Sequence, residues 1–131
     1  MVKKSLKEEE LAEKLLQPNF SFPKNLKIRK SFEYRAFSIS RNRLKGQYMT
    51  LDYRFNTKIF NPRLGLSVSR KNGNANRRNR FKRIAREVFR LNKQHLIQNL
   101  ELHIIARKCD KHLNYKDMEK DFFDLIVHIK K

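Results

Sequence analysis

The chain has 131 residues, 32 of them Lys or Arg and 13 Asp or Glu, giving a formal charge of +19 at pH 7 with 39% hydrophobic residues. So large a surplus repels itself unless a polyanion neutralises it, and the hydrophobic content excludes a wholly disordered basic tail. One domain with a core, meeting nucleic acid or another anionic surface, is the economical class.

The charge alone does not separate those two surfaces, but other features narrow the choice. No apolar run approaches the roughly twenty residues of a membrane span, and the first fifteen residues lack the apolar core of a secretory signal. A cytoplasmic protein with no membrane partner is therefore expected. The single cysteine, Cys109, excludes an intramolecular disulfide and cannot hold a metal alone. His95, His103, His112 and His128 show no ligand spacing and no triad arrangement, and the carboxylates form no two-metal cluster. The sequence thus offers no catalytic residue of its own.

In chain order, residues 1–25 read as an extension, partly helical or flexible, and 26–131 as one α+β domain. Within the extension Ser5 and Glu8 fit a capping box, Leu11, Leu15 and Leu16 share one side, and Pro18 ends the helix. A second short helix is expected from Ser31, with Ser31 as cap, Phe32, Ala36 and Phe37 on one side, and Arg35 and Arg41 nearby. Gly46 precedes a strand-like run over 47–55, in which Met49, Leu51, Tyr53 and Phe55 alternate with Tyr48, Thr50, Asp52 and Arg54. After the Asn61-Pro62 turn, residues 63–69 alternate again, with Leu64, Leu66 and Val68 on one face and Gly65, Ser67 and Ser69 on the other. That second face has almost no bulk, so another element packs closely on it or a ligand backbone approaches it.

The stretch from Lys71 to Arg90 is the strongest local signal. Past Gly73 a helix is predicted from about Asn76 to about Lys93, anchored by Phe81, Ile84, Ala85, Val88 and Leu91, with Arg78, Lys82, Arg83, Arg86 and Arg90 elsewhere around the cylinder. A helix that merely solvates itself mixes in acids for i,i+4 pairing, and Glu87 is the only acid here. Arg forks suit phosphate, while the Asn79 amide can read a base edge or a 2′-hydroxyl. Asn74 and Asn76 sit where free backbone N–H groups favour a phosphate. Phe81 and Phe89 belong to the core or its margin. Phe32, Tyr34 and Phe37 can be stacking platforms for unpaired bases or core residues, and spacing leaves both open.

A short, nearly continuous apolar strand over 102–106 reads as central in the sheet, and a closing helix after Asn114 carries Met118, Phe122, Leu125, Ile126 and Ile129. One sheet with helices packed on it follows, and a right-handed crossover through the basic helix is the geometric default.

The run Gly73-Asn74-Ala75, then Arg78-Asn79-Arg80, Lys82-Arg83, Arg86-Glu87 and Phe89-Arg90, resembles the signature of the bacterial ribonuclease P protein subunit. The preceding strand from Arg63 to Ser69 with Arg70-Lys71, the strand Ile104-Ile105-Ala106-Arg107 and the closing helix extend the resemblance over roughly Leu26 to Ile129. It implies a two-layer αβββαβα sandwich of the ribonuclease P protein and ribosomal protein S5 domain 2-like type, with a left-handed crossover against the default above. It further implies a catalytic RNA that, with Mg²⁺ bound mainly by RNA, removes the 5′ leader of precursor tRNA, while the protein performs no scissile step and needs no obligate protein partner. RNA contacts carry over to Lys71, Asn74, Arg78, Asn79, Arg80, Lys82, Arg83, Arg86 and Arg90. Leader contacts carry over to Phe32, Phe37 and Arg41, in a cleft between the first helix and the sheet.

Two departures stand out. The family's second cleft aromatic follows the first by four residues, where this chain has Ala36 and places Phe37 one later. Asn76 stands where the family commonly has an apolar residue. A basic ribosomal or ribosome-assembly protein is the rival reading, and a DNA or membrane module fits the charge only.

Overall fold

The computed structural model describes residues 22–129, so the expected helix around Ser5 to Leu16 lies outside the described residues. The helices are α1 (Ser31–Ser40), α2 (Ala75–Asn92) and α3 (Tyr115–Ile126), and the strands β1 (Arg43–Lys45), β2 (Met49–Phe55), β3 (Arg63–Ser67) and β4 (Leu100–Ala106). The sheet order is β1-β2-β4-β3. β2 pairs antiparallel with both β1 and β4, while β3 and β4, joined through α2, are parallel neighbours. The apolar strand expected at 102–106 is thus central, paired on both edges, by β2 on one side and β3 on the other.

Period-two alternation gives the sheet two different faces. Leu51 pairs with Ile104, Tyr53 and Leu64 with Leu102, and Leu66 with Ile104, and this apolar face packs on α2 and α3. Phe81, Phe89 and Phe122 are wholly buried there. Each contributes on the order of 2–3 kcal/mol by leaving water. The other face sets Asp52 and Gly65 beside His103, and Arg54 and Arg63 beside Glu101. α1 crosses this polar face.

Gly65 explains how α1 comes so close. A Cβ at Gly65 would lie 2.7 Å from Tyr34 Cε1, so the bulk-free face of β3 is used for packing by another element. The Tyr34 hydroxyl donates to the Ile28 carbonyl at 2.8 Å and ties the helix to the segment running beside β3.

Several boundaries differ from expectation, each for a local reason. Ser31 is the first residue of α1 and not its cap; Lys30 holds the cap position, and no side chain caps the helix. β2 begins at Met49, because the backbone N–H groups of Gln47, Tyr48 and Met49 donate to the buried carboxylate of Asp121 at 2.9, 2.9 and 3.2 Å. A Cβ on Gly46 would come within 2.5 Å of that carboxylate, so glycine is what lets the chain wrap it. β3 ends at Ser67, and Ser69 caps the following turn by accepting from the Lys71 N–H at 3.3 Å.

Asn114 caps α3, its side chain accepting from the Asp117 N–H at 2.9 Å. Asn114→Ala is expected to lower unfolding stability by about 1 kcal/mol, the usual cost of losing such a cap, read as a shifted urea midpoint with unchanged slope.

Candidate nucleic-acid interface

α2 is amphipathic because its apolar residues recur at three and four. Phe81, Ala85, Val88 and Phe89 are buried against the sheet, and the rest of the cylinder carries the charge. Asn76, Asn79, Arg83, Arg86 and Arg90 follow one another at the same three-and-four spacing, a line that climbs roughly 21 Å along the helix. All but Arg90 are exposed. Asn76 therefore displaces no core residue, although it stands where an apolar side chain is common.

Charge pairing separates the helix from the sheet. Arg43 pairs with Asp52, Arg54 with Glu101, and Arg63 with both Glu33 and Glu101. On α2, among the described residues, only Arg90 has a carboxylate partner: it grips Glu87 at 3.1 and 2.8 Å, which holds the Glu87 carboxyl below its usual range. Lys82, Arg83 and Arg86 have no acidic partner there. Uncompensated guanidinium groups on a rigid helix are what phosphate recognition requires.

Other expected contacts are partly committed within the protein. Arg80 donates from Nε at 3.0 Å and from Nη2 at 2.8 Å to the Leu113 carbonyl, so it straps α2 to the loop before α3. Asn74 is the N-cap of α2 and accepts from the Arg77 N–H at 3.0 Å, so its carbonyl end, and that one backbone N–H, are already paired. Arg78 is half-buried, with its Nε buried and unpaired. Lys71 is exposed just before the helix.

Phe32 and Phe37 have opposite fates. Five residues place them about 140° apart around a helix, so they cannot share a face. Phe37 is 2% exposed and packs on the His103 ring at 5.5 Å. This corrects its expected place among the leader contacts, since it has no free surface on which a base can stack. Phe32 is 61% exposed, with Lys30 Nζ 5.9 Å from its ring centre. Arg41, at the end of α1, is exposed and left-handed with φ 55°.

An open groove between α1 and β2, about 470 Å³ in volume, is lined by Ala36, Ile39, Ser40, Asn42, Arg54 and Phe55. Phe32, Ala36 and Ile39 stand at i, i+4 and i+7, one helix side. Ile39 is 81% exposed, and sequence reading missed it although this spacing signals it. Asn42 and Arg54 were missed as well, because only the fold brings β2 beside α1.

A family model described as ribonuclease P matches residues 22–130. The chain belongs to the ribonuclease P protein family. It is 32% identical over 111 residues to the ribonuclease P protein component of Desulforapulum autotrophicum, covering 85% of this chain and 94% of that one. With the Vibrio campbellii counterpart it shares 36% over 110 residues, 83% and 91% of the two chains. The structure resembles the RNase P protein from Thermotoga maritima with a TM-score of 0.72 at 27% identity, covering 80% of this chain and 98% of that one. It also resembles Staphylococcus aureus RNase P protein, TM-score 0.70 at 26% identity, with 78% and 93% covered. The chain is a ribonuclease P protein subunit, and the ribosomal alternative is not favoured.

Beneath α1 this ribonuclease P protein carries a polar network on the sheet. Arg43 chelates Asp52 at 2.7 and 2.9 Å, and His103 Nε2 and Ser67 Oγ lie 2.7 Å apart. His103 Nδ1 is buried and unpaired, 4.0 Å from Asp52, with Tyr34 edge-on at 4.8 Å. Burial holds the His103 imidazole below its usual pKa, Asp52 opposing and Arg43 reinforcing the shift. The unfolded chain therefore takes up this proton first. Stability from this group is complete above the unfolded histidine pKa of about 6.5 and is lost as pH falls towards the lower folded value. Stability is expected to decline from pH 7 to pH 5 with a component that His103→Gln removes, measured by urea unfolding across that range.

Proposed function

We propose that this ribonuclease P subunit binds a catalytic RNA through the exposed cations and Asn79 of α2, and holds the single-stranded 5′ leader of precursor tRNA along Phe32, Arg41 and the α1–β2 groove. The observation that carries this reading is the division of charge. Sheet arginines are matched with carboxylates, while Lys82, Arg83 and Arg86 on α2 have none among the described residues. Phosphates complete what the protein leaves unpaired. The exposed ring of Phe32 offers an unpaired base a stacking face that a duplex cannot use.

The reading assigns hydrolysis of the leader to the RNA, with Mg²⁺. Among the described residues, the carboxylates nearest the sheet and α2 are already committed. Asp52, Glu101 and Glu33 are held by arginines, Asp121 by three backbone N–H groups and Glu87 by Arg90. Among the described residues no group of three or more His, Cys, Asp or Glu converges. The protein's part is to position: α2 docks on the RNA and the groove fixes the leader, raising the fraction of substrate held for cleavage. A cytoplasmic setting goes with this role, and no helix of the described residues is long and apolar enough to cross a membrane.

Recovery of the tagged protein from cells of its source tests the partner. A structured RNA in roughly equal amount, together with precursor tRNA, is the expected companion; recovery with ribosomal particles alone would overturn the reading.

A further inference from the structure

A second cationic feature lies away from the α1–β2 groove. The segment entering the domain runs beside β3, where the Ile28 N–H donates to the Leu64 carbonyl at 2.8 Å and Lys27 bridges to Leu64. Between this segment and α2 is a groove of about 210 Å³ whose lining includes Phe22, Lys27, Arg29, Tyr34, Lys82 and Arg86. Four cations thus converge on one concavity from two separate elements.

None of the four pairs with a carboxylate among the described residues. Glu33, next to Tyr34 in the chain, is held by Arg63 at 2.8 Å. The Tyr34 hydroxyl is committed to Ile28, and Lys27 Nζ rests 5.3 Å from the centre of the Phe22 ring, whose far neighbour is Phe89 on α2 at 5.2 Å. The groove is therefore walled by fixed backbone and aromatic surface, with like charges that repel one another until an anion enters. Elsewhere on the sheet a carboxylate stands against Arg43, Arg54 and Arg63, and here, among the described residues, none does. The volume is ample for one phosphate group, and ammonium and guanidinium groups from two sides suit its oxygens.

We propose that this groove seats one backbone phosphate of the catalytic RNA, so that Lys27 and Arg29 extend the RNA-binding surface from α2 onto residues 22–30. The inference rests on the reading that α2 binds RNA. It predicts that the segment and the helix contact the same RNA body, because Lys82 and Arg86 belong to both surfaces.

The test compares full-length wild type, Lys27→Gln/Arg29→Gln and Lys111→Gln/Lys120→Gln, the last removing the same charge at exposed positions outside the groove. Affinity for the catalytic RNA of the same organism is measured from 50 to 200 mM salt. The groove variant is expected to lose roughly one to two units of the log affinity against log salt slope, and the control pair clearly less. Equal slopes for the two variants, or no change in the groove variant, would overturn the inference. If the double variant melts early, the single Arg29→Gln, at an exposed position, carries the same comparison with half the change.

Inorganic phosphate at constant ionic strength separates the two sources of the anion. Protection of wild type against unfolding, lost in the groove variant while the RNA slope is unchanged, would mark a free-phosphate site and overturn the RNA seat. Wild type that fails to bind the RNA would instead sink the function proposed above, a result distinct from any of these.

Discussion

Phe32→Ala is expected to reduce the preference for precursor over mature tRNA by roughly 1–3 kcal/mol, a factor of roughly five to 150, while leaving affinity for the catalytic RNA nearly unchanged. The basis is geometric. Phe32 is 61% exposed on a helix whose other aromatic side chains, Tyr34 and Phe37, pack on His103, so its ring adds little to the core and stays open to a ligand. Truncation should leave the urea midpoint close to wild type, whereas Phe37→Ala should unfold the domain more readily. Binding of matched substrates with and without a leader separates the two effects. An equal loss for both substrates would remove Phe32 from the leader's path.

Arg83→Gln/Arg86→Gln is expected to weaken binding to the catalytic RNA and to flatten its salt dependence by roughly one and a half to two units of slope. Between 50 and 200 mM salt this variant should lose about tenfold less affinity than wild type loses, because two phosphate contacts no longer release counterions. Stability should change little, since both positions are exposed and neither side chain pairs with an acid among the described residues. Arg80→Gln makes the informative contrast. Its two hydrogen bonds to the Leu113 carbonyl hold α2 against the loop before α3, so its replacement should lower the unfolding midpoint as well as RNA affinity. A slope unchanged in the double variant would take Arg83 and Arg86 out of the interface.

These contrasts show which parts of the molecule a sequence can convey. The basic helix was legible to within a residue because its cause is local: apolar residues at three and four, a glycine before it, and almost no acid on its outer side. The central place of β4 was legible from its nearly continuous apolar run over 102–106. Gly65, Ser67 and Ser69 announced a close approach, but whether by a ligand or by Tyr34 is a matter of tertiary packing. Side chains committed at long range were hidden. Nothing around Arg80 points to Leu113, thirty-three residues on, and nothing around Gln47 points to Asp121, seventy-four residues away. β1 is three residues long and exists because Asp52 and Arg43 meet across it.

The α1–β2 groove lies between these extremes. Phe32 was identified through the family resemblance, and the one-residue shift of Phe37 was visible as a departure. Its consequence follows from the helical repeat: a residue at i+5 turns towards the sheet, and the groove wall passes to Ala36 and Ile39. Asn42 and Arg54 enter only because β2 lies beside α1, which no local pattern encodes.

The decisive measurement is cleavage of a precursor tRNA at low Mg²⁺ by the catalytic RNA of the same organism, with and without this protein. Strong stimulation at the mature 5′ end is expected, with no cleavage by the protein alone and a stimulation that shrinks when the leader is removed or Phe32 is replaced. No stimulation of an active RNA by the folded protein, or cleavage by the protein without RNA, would contradict the proposed function.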